Sequence, residues 1–350
     1  MSKPKKTILI SGGAGFIGSN FVRYLYNKYP NYKLFNLDSL TYAGNLANVL
    51  DIEKIESKKN LTQKRYTFIK GDICNVQLIR KVFRDYKPDV VINFAASSHV
   101  DRSIVDSRYF FRTNLIGVHN LVDRIIEFKI PRFIQISTDE IYREVLEGES
   151  DETACFRPSN PYAASKASAD LLVQSYIRTY KLPAIIMRGS NNFGSYQYPE
   201  KLIPLAITNL LENKKIPIHG NGKQKRRWLY VNDFCEAIDI AMHKGKDFSI
   251  YNVAGIEMSN MDIIKEICKA LKIDYRREIY FTPDRPGRDM RYAPNANKIE
   301  QELGWKFKTS VIENMPEVVK WYKENMKWWK KIKSKKEFIF RYTKQRKSIY

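Results

Sequence analysis

Short apolar runs recur along the first half of the chain, each followed by a longer stretch with helical periodicity. Thr7-Ile8-Leu9-Ile10-Ser11 is the first such run, bounded by glycines, and it reads as a strand buried on both faces. A helix is expected from Phe16 to about Tyr29, stopped by Pro30. Further strands are predicted at residues 32–38, 66–70, 90–95, 133–137 and 184–188, with helices over 76–86, 106–128 and 161–180. Strands alternating with helices imply an α/β fold, a doubly wound parallel sheet with helices on both faces. After about residue 190 the pattern shortens, because Pro199, Pro204, Pro217, Pro283, Pro286 and Pro294 interrupt it. This part is expected to be a smaller C-terminal α/β lobe over the carboxyl ends of the strands, where such sheets bind ligands. The expected division is residues 1–190, 191–330 and a tail at 331–350, with a segment near 230–254 (Tyr251-Asn252-Val253) returning to the main sheet.

Composition narrows the class. A chain of 350 residues with 43% hydrophobic content can bury a sizeable core. No run of roughly 18 apolar residues suggests a membrane span, and the N-terminus lacks a signal-peptide apolar segment, so a cytoplasmic address is expected. Cys74, Cys155, Cys235 and Cys268 are widely spaced, with no C-x-x-C pair, so reduced thiols are expected and no metal. The net charge is +22, and the stretch from Lys327 to Tyr350 holds ten Lys or Arg against one Glu. Its bases alternate with Trp328, Trp329, Phe338, Phe340 and Tyr342. A nucleic-acid patch has that look, but a terminal helix docking its aromatics with lysines in water is the preferred reading, and nucleic acid is not expected as a partner.

The chemistry begins at Gly12-Gly13-Ala14-Gly15-Phe16-Ile17-Gly18, between the first strand and the first helix. Glycines there allow a tight turn and a close backbone approach to a pyrophosphate, whose charge meets the helix N-terminus. Asp38 closes the second strand 20 residues past Gly18, the position of the carboxylate that binds an adenosine ribose in Rossmann-type domains. Such a carboxylate repels a 2′-phosphate, so NAD is favoured over NADP; a plain capping role is the competing reading. Asp72-Ile73 and Phe94-Ala95-Ala96 are expected as walls of the adenine and ribose pocket.

Tyr162 and Lys166 stand four residues apart after Pro161, on one face of a predicted helix. An adjacent ammonium, with a positive nicotinamide nearby, favours the phenolate, which makes Tyr162 a usable base for a sugar hydroxyl. Thr138-Asp139-Glu140 leave the strand 133–137 at its carboxyl end. Two adjacent carboxylates there serve either as caps or as an acid and a base with separated pKa values, and local sequence leaves both open.

Taken together these motifs resemble the extended short-chain dehydrogenase/reductases, and within them the dTDP-glucose 4,6-dehydratases. The resemblance runs from about Thr7 to about Trp329 and includes Asp38–Asn45, Ser98–Ser103, Ser137–Glu140, Tyr162–Lys166, Ser190–Asn192, Glu200–Pro204, Arg226 with Trp228–Tyr230, and Asp284–Gly287. It implies a homodimer acting on a nucleotide-sugar, with dTDP-glucose favoured, by transient oxidation at C4, loss of water across C5/C6 and hydride return to C6. It implies catalytic roles for Thr138, Asp139, Glu140, Tyr162 and Lys166, with Asp139 as acid and Glu140 as base. Cofactor contacts are implied at Gly12, Gly15, Phe16, Ile17, Gly18, Asp38, Ser39, Leu40, Thr41, Asp72, Ile73, Phe94, Ala95, Ala96, Ser98, Thr113, Tyr162, Lys166 and Asn192. Substrate contacts are implied at Ser98, Thr138, Asn191, Glu200, Lys201, Leu202, Pro217, Ile218, Arg226, Asn252 and Arg285. For Arg226 a solvated basic loop with Lys223, Lys225 and Arg227 is the competing reading.

Three positions depart from the family pattern. Ser97 replaces an acidic residue beside the sugar, Arg143 replaces a glycine after the carboxylates, and Arg227 replaces an acidic residue. The alternatives are a UDP-glucose 4,6-dehydratase or another sugar-nucleotide reaction of the superfamily, epimerisation or decarboxylation, and, from a different class, a basic nucleic-acid-associated scaffold.

Overall fold

The computed structural model describes residues 6–60, 62–284, 286–335 and 338. The first part of the chain lays down β1 (Lys6–Ser11), β2 (Tyr32–Asp38), β3 (Tyr66–Lys70), β4 (Val90–Asn93), β5 (Phe133–Thr138) and β6 (Ala184–Gly189). Then follow β7 (Asn191–Phe193), β8 (Ile216–His219), β9 (Lys225–Tyr230), β10 (Ile250–Val253), β11 (Ile256–Ser259) and β12 (Ile279–Thr282). Seven strands form a parallel sheet in the order β10-β6-β5-β4-β1-β2-β3, a Rossmann-type arrangement. The strand pattern explains why. Ile8 and Ile10 face a core with Phe21, Leu25 and Phe234, while Leu9 between them faces a second core with Val91, Val118 and Val173. A strand buried on both faces needs helices on both, and parallel crossovers supply them. Each such side chain, fully buried, contributes about 1.5–3 kcal/mol.

Strand order reverses between β1 and β4, so a crevice opens at their carboxyl ends. β4 ends at Asn93, two residues short of the expected boundary. The reason is local: Asn93 Oδ1 accepts from Ser11 Oγ at 2.7 Å and from the Ala95 backbone N–H at 3.1 Å. That second bond turns the chain out of the sheet.

The helix expected over 106–128 is interrupted. A helix at Arg108–Phe111 passes through a wide π turn at Arg112–Ile116 into a helix at Gly117–Glu127. Asn114 in the turn is buried, accepts from Ser97 N and donates to Ser97 O and Ser165 Oγ, so the widened turn is pinned to two other segments.

The second lobe is built on a three-stranded sheet β11-β9-β7 and a two-stranded sheet β12-β8. Helices at Leu202–Leu210, Asn260–Leu271 and Val311–Glu324 pack around Phe193, Ile216, Trp228 and Ile264. The helix Val231–Lys244 instead belongs to the core of the main sheet, as does β10. The terminal helix Met326–Lys333 buries Trp329, and Trp328 Nε1 donates to Asn48 Oδ1 at 2.8 Å. Phe340 and Tyr342 lie outside the described residues. No helix among the described residues is long and apolar enough to cross a membrane.

Candidate active site

A cleft of about 420 Å³ runs along the carboxyl ends of β1, β4 and β5 and under the second lobe. At one end Gly12 adopts φ +75°, and the helix Phe16–Lys28 begins at Gly15 with no side chain capping its N–H groups. A Cβ on Gly18 would overlap the Gly12 carbonyl oxygen and lie 2.8 Å from Gly13 Cα, so only glycine lets the turn close against the helix. The result is a set of open N–H groups at a positive helix end, the arrangement a pyrophosphate needs. Asp38 faces the same space, its carboxylate accepting from Ala14 N at 3.0 Å and Leu40 N at 2.8 Å. Burial pushes its pKa up, and those two backbone bonds oppose the rise. The carboxylate keeps lone pairs for a ribose, so these residues fit an adenine dinucleotide.

Ser39, Thr41, Asp72, Ile73, Phe94, Ala95, Ala96, Ser98, Thr113 and Asn192 line the cleft together with Gly12, Gly15, Phe16, Ile17 and Gly18. Leu40 does not line it; with φ +54° it sits in the turn after β2, where its N–H donates to Asp38.

In the centre, β5 ends at Thr138 and a 3-10 turn carries Asp139–Ile141. Thr138 Oγ1 donates to Asp139 Oδ1 at 3.3 Å and accepts from Glu140 N at the same distance, so the threonine fixes the turn. Burial first, and Glu140 second, raise the Asp139 pKa from 3.8 to about 7, against the pull of Arg226 and Thr138. Burial raises Glu140 as well, while Lys201 and Arg226 hold it down. Asp139 Oδ2 is buried with no hydrogen-bond partner among the described residues, and the same holds for Asn191 Oδ1 and Asn192 Oδ1. Unpartnered buried oxygens clustered on a cleft mark where a polar ligand belongs.

The helix Pro161–Tyr180 is capped by Asn160, whose Oδ1 accepts from Ala163 N at 2.9 Å, with proline at its first position. Its first turns deliver Tyr162 and Lys166, 8% and 6% exposed, to the cleft wall. Lys166 Nζ donates to Ile136 O at 2.6 Å. Burial lowers its pKa to about 8, opposed by Asp170. Burial, then the charge of Glu140, raises the Tyr162 pKa above its usual 10, with Thr138 within hydrogen-bonding reach and opposing the rise. The ammonium is engaged with a backbone carbonyl and does not by itself produce a phenolate.

Towards the second lobe, Glu200, Lys201, Leu202, Asn191, Pro217, Ile218 and Arg226 line the cleft. Glu200 Oε2 accepts from Arg102 Nη2 at 2.7 Å, and that guanidinium sits 3.6 Å from the centre of the Tyr42 ring. Lys201 Nζ donates to Ser98 O at 2.9 Å. Arg226 is not in a solvated loop: it donates to Asp289 O at 2.8 Å and lies over the Tyr292 ring at 4.3 Å. Asn252 is a correction. It is fully buried under the sheet, accepting from the Tyr142 hydroxyl at 2.8 Å and donating to Ser150 O at 3.1 Å, and the asparagine this segment gives to the cleft is Asn260. Arg285 lies outside the described residues. His99, Tyr292, Asp289 and Asn160 also line the cleft without having been singled out. His99 and Asp289 sat inside or beside noted motifs; for Tyr292 and Asn160 only the fold brings them in.

The departures from the family pattern leave the cleft open. Arg143 is exposed and does not line it. Arg227 pairs with Glu149 outside it. Ser97 lines the cleft, its backbone held at both ends by Asn114.

A family model described as GDP-mannose 4,6 dehydratase matches residues 9–318. A dTDP-glucose 4,6-dehydratase of Shigella flexneri is 40% identical, covering 93% of this chain and 95% of that protein. A human dTDP-D-glucose 4,6-dehydratase is 41% identical, with 93% of each covered. The crystal structure of a dTDP-glucose 4,6-dehydratase from Bacillus anthracis, in complex with NAD, superposes with a TM-score of 0.85 at 41% identity, covering 93% of this chain and 99% of that one. The chain belongs to the GDP-mannose 4,6 dehydratase family.

Proposed function

We propose that this chain is an NAD-dependent hydro-lyase that converts dTDP-glucose to the 4-keto-6-deoxy sugar nucleotide. The observation that carries the reading is the carboxyl pair beside the Tyr162–Lys166 helix, Asp139 buried and Glu140 partly so. With a pKa of about 7, Asp139 is about half protonated at neutral pH, next to a carboxyl whose rise on burial Lys201 and Arg226 oppose. Epimerisation needs a hydroxyl base but no such pair.

The glycine turn and Asp38 would hold NAD, which when bound would accept hydride from C4 and return it to C6. Tyr162 Oη takes the proton of the 4-hydroxyl, and Thr138 Oγ1 orients that oxygen. The resulting ketone acidifies C5–H, and Glu140 takes that proton. Asp139 gives its proton to the 6-hydroxyl, which leaves as water, and Glu140 returns a proton to C5. The Lys166 ammonium, together with the positive charge that bound NAD would add, favours the deprotonated tyrosine. Arg226 and Lys201 offer cationic donors to a diphosphate. The division of labour follows the lobes: residues to about 190, with the returning strand, hold the dinucleotide, and residues 191–330 close over the sugar nucleotide.

The named relatives and the solved neighbour with NAD support this reading. Incubation with dTDP-glucose and with UDP-glucose tests it. The expected outcome is a 4-keto-6-deoxy product from dTDP-glucose with no net NADH; an epimerised hexose instead overturns it. We also infer a homodimer, because the helices flanking the cleft expose apolar side chains, Tyr109 at 65%, Leu171 at 55% and Tyr180 at 58%. Sedimentation giving only monomer at micromolar concentration counts against it. Four free cysteines are compatible with a cytoplasmic address.

A further inference from the structure

Beneath the cleft, one buried guanidinium joins the two segments that carry the reactive side chains. Arg188 on β6 is 1% exposed. Its Nε and Nη2 donate to the two oxygens of Asp170 at 3.0 and 2.9 Å, a two-pronged pair. Its Nη1 donates to the Tyr142 hydroxyl oxygen at 2.6 Å and to Glu152 O at 2.9 Å. The Tyr142 hydroxyl itself donates to Asn252 Oδ1, and the centre of the Phe156 ring lies 4.8 Å from the guanidinium. None of these side chains lines the cleft. Yet Asp170 sits one helical turn beyond Lys166, and Tyr142 closes the turn that holds Asp139 and Glu140. A buried ion pair of this kind rarely stabilises more than an apolar pair of equal volume, so stability alone does not account for it.

We propose that Arg188 and Asp170 are positioning residues for the dehydration. Through Tyr142 the pair fixes the acidic turn in register with Tyr162 and Lys166, and the Asp170 carboxylate keeps the Lys166 ammonium charged. This rests on the reading given above. Lys166 Nζ is held by the Ile136 carbonyl of β5, and the charged group acting on it is Asp170, four residues on in the same helix. Asp170 opposes the downward push of burial on the ammonium.

The test compares the NAD-loaded wild type with Tyr142→Phe, Asp170→Asn and the double variant Asp170→Asn/Arg188→Met, using dTDP-glucose. Tyr142→Phe deletes one oxygen and leaves the ion pair; its kcat is expected to fall roughly three- to tenfold with KM unchanged. Asp170→Asn is expected to move the alkaline limb of the kcat profile about one unit towards acid. The double variant leaves no charge unpaired and is expected to show both effects while melting as one cooperative unit. Wild-type kcat and pH profile in the folded variants make the pair purely structural and overturn the proposal. If the substitutions at Asp170 do not fold, Tyr142→Phe decides alone by its kcat. An inactive wild type rejects the dehydratase reading instead, and the two failures are distinct.

Discussion

Asp139→Asn separates chemistry from stability in one substitution. The folded carboxyl has a pKa of about 7 against 3.8 for the free group. A raised folded-state pKa in an acid means that the neutral form is favoured. Its contribution to stability is complete below the unfolded value and is lost as pH rises through the folded one. Three pKa units correspond to at most about 4 kcal/mol, shared with Glu140, whose charge is one of the causes. Asparagine does not titrate and keeps the shape. The variant should therefore match the wild type near pH 4 and exceed it by about 2–4 kcal/mol above about pH 8. Urea melts of the cofactor-free protein at the two pH values read this difference. The same variant has no proton for the 6-hydroxyl, so turnover should fall by about 10²–10⁴-fold while oxidation at C4 survives. A stability difference independent of pH, or one larger on the acid side, refutes the buried-acid argument.

Gly18→Ala puts a methyl group onto the backbone of Gly12 and Gly13, which cannot swing aside. We expect a strain of about 1–3 kcal/mol and at least roughly tenfold weaker NAD binding by titration, with the fold retained. Asp239 has the opposite pH signature from Asp139. Burial pushes its carboxyl up, but bonds from His243, Lys28 and Tyr29 outweigh burial and hold it below the usual carboxylate range. Its contribution is present above the unfolded value and lost as pH falls through the folded one, so Asp239→Asn should lower the unfolding free energy read from urea melts at neutral pH by about 1–3 kcal/mol, and by less once pH falls below the usual carboxylate range.

Much of the fold and the centre of the site are local in sequence, and that is why they were legible. The glycine turn, Asp38 and the pair Tyr162/Lys166 are set by spacing along single elements, so their geometry follows from helix and strand periods. What escaped depends on pairing across the chain. Asn252 and Asn260 are both plausible ligands by type, but strand pairing of β10 with β6 turns the first into the buried layer, and the start of a helix brings the second to the cleft. The break at Arg112–Ile116 depends on Asn114 meeting Ser97 and Ser165, contacts no periodicity encodes. The partner of the Lys166 ammonium also escaped. Spacing placed an ammonium near Tyr162, but the carbonyl of Ile136 that engages it comes from another strand.

The account stands on a hydride that leaves C4 and returns to C6 of the same sugar while Asp139 and Glu140 remove water between the two events. Turnover of dTDP-glucose carrying deuterium at C4, with the product read by NMR and mass spectrometry, tests that directly. The prediction is a 4-keto sugar with the deuterium on the C6 methyl group and none released to reduced nicotinamide in solution. Deuterium back at C4 of an intact hexose, or lost with the cofactor, contradicts it.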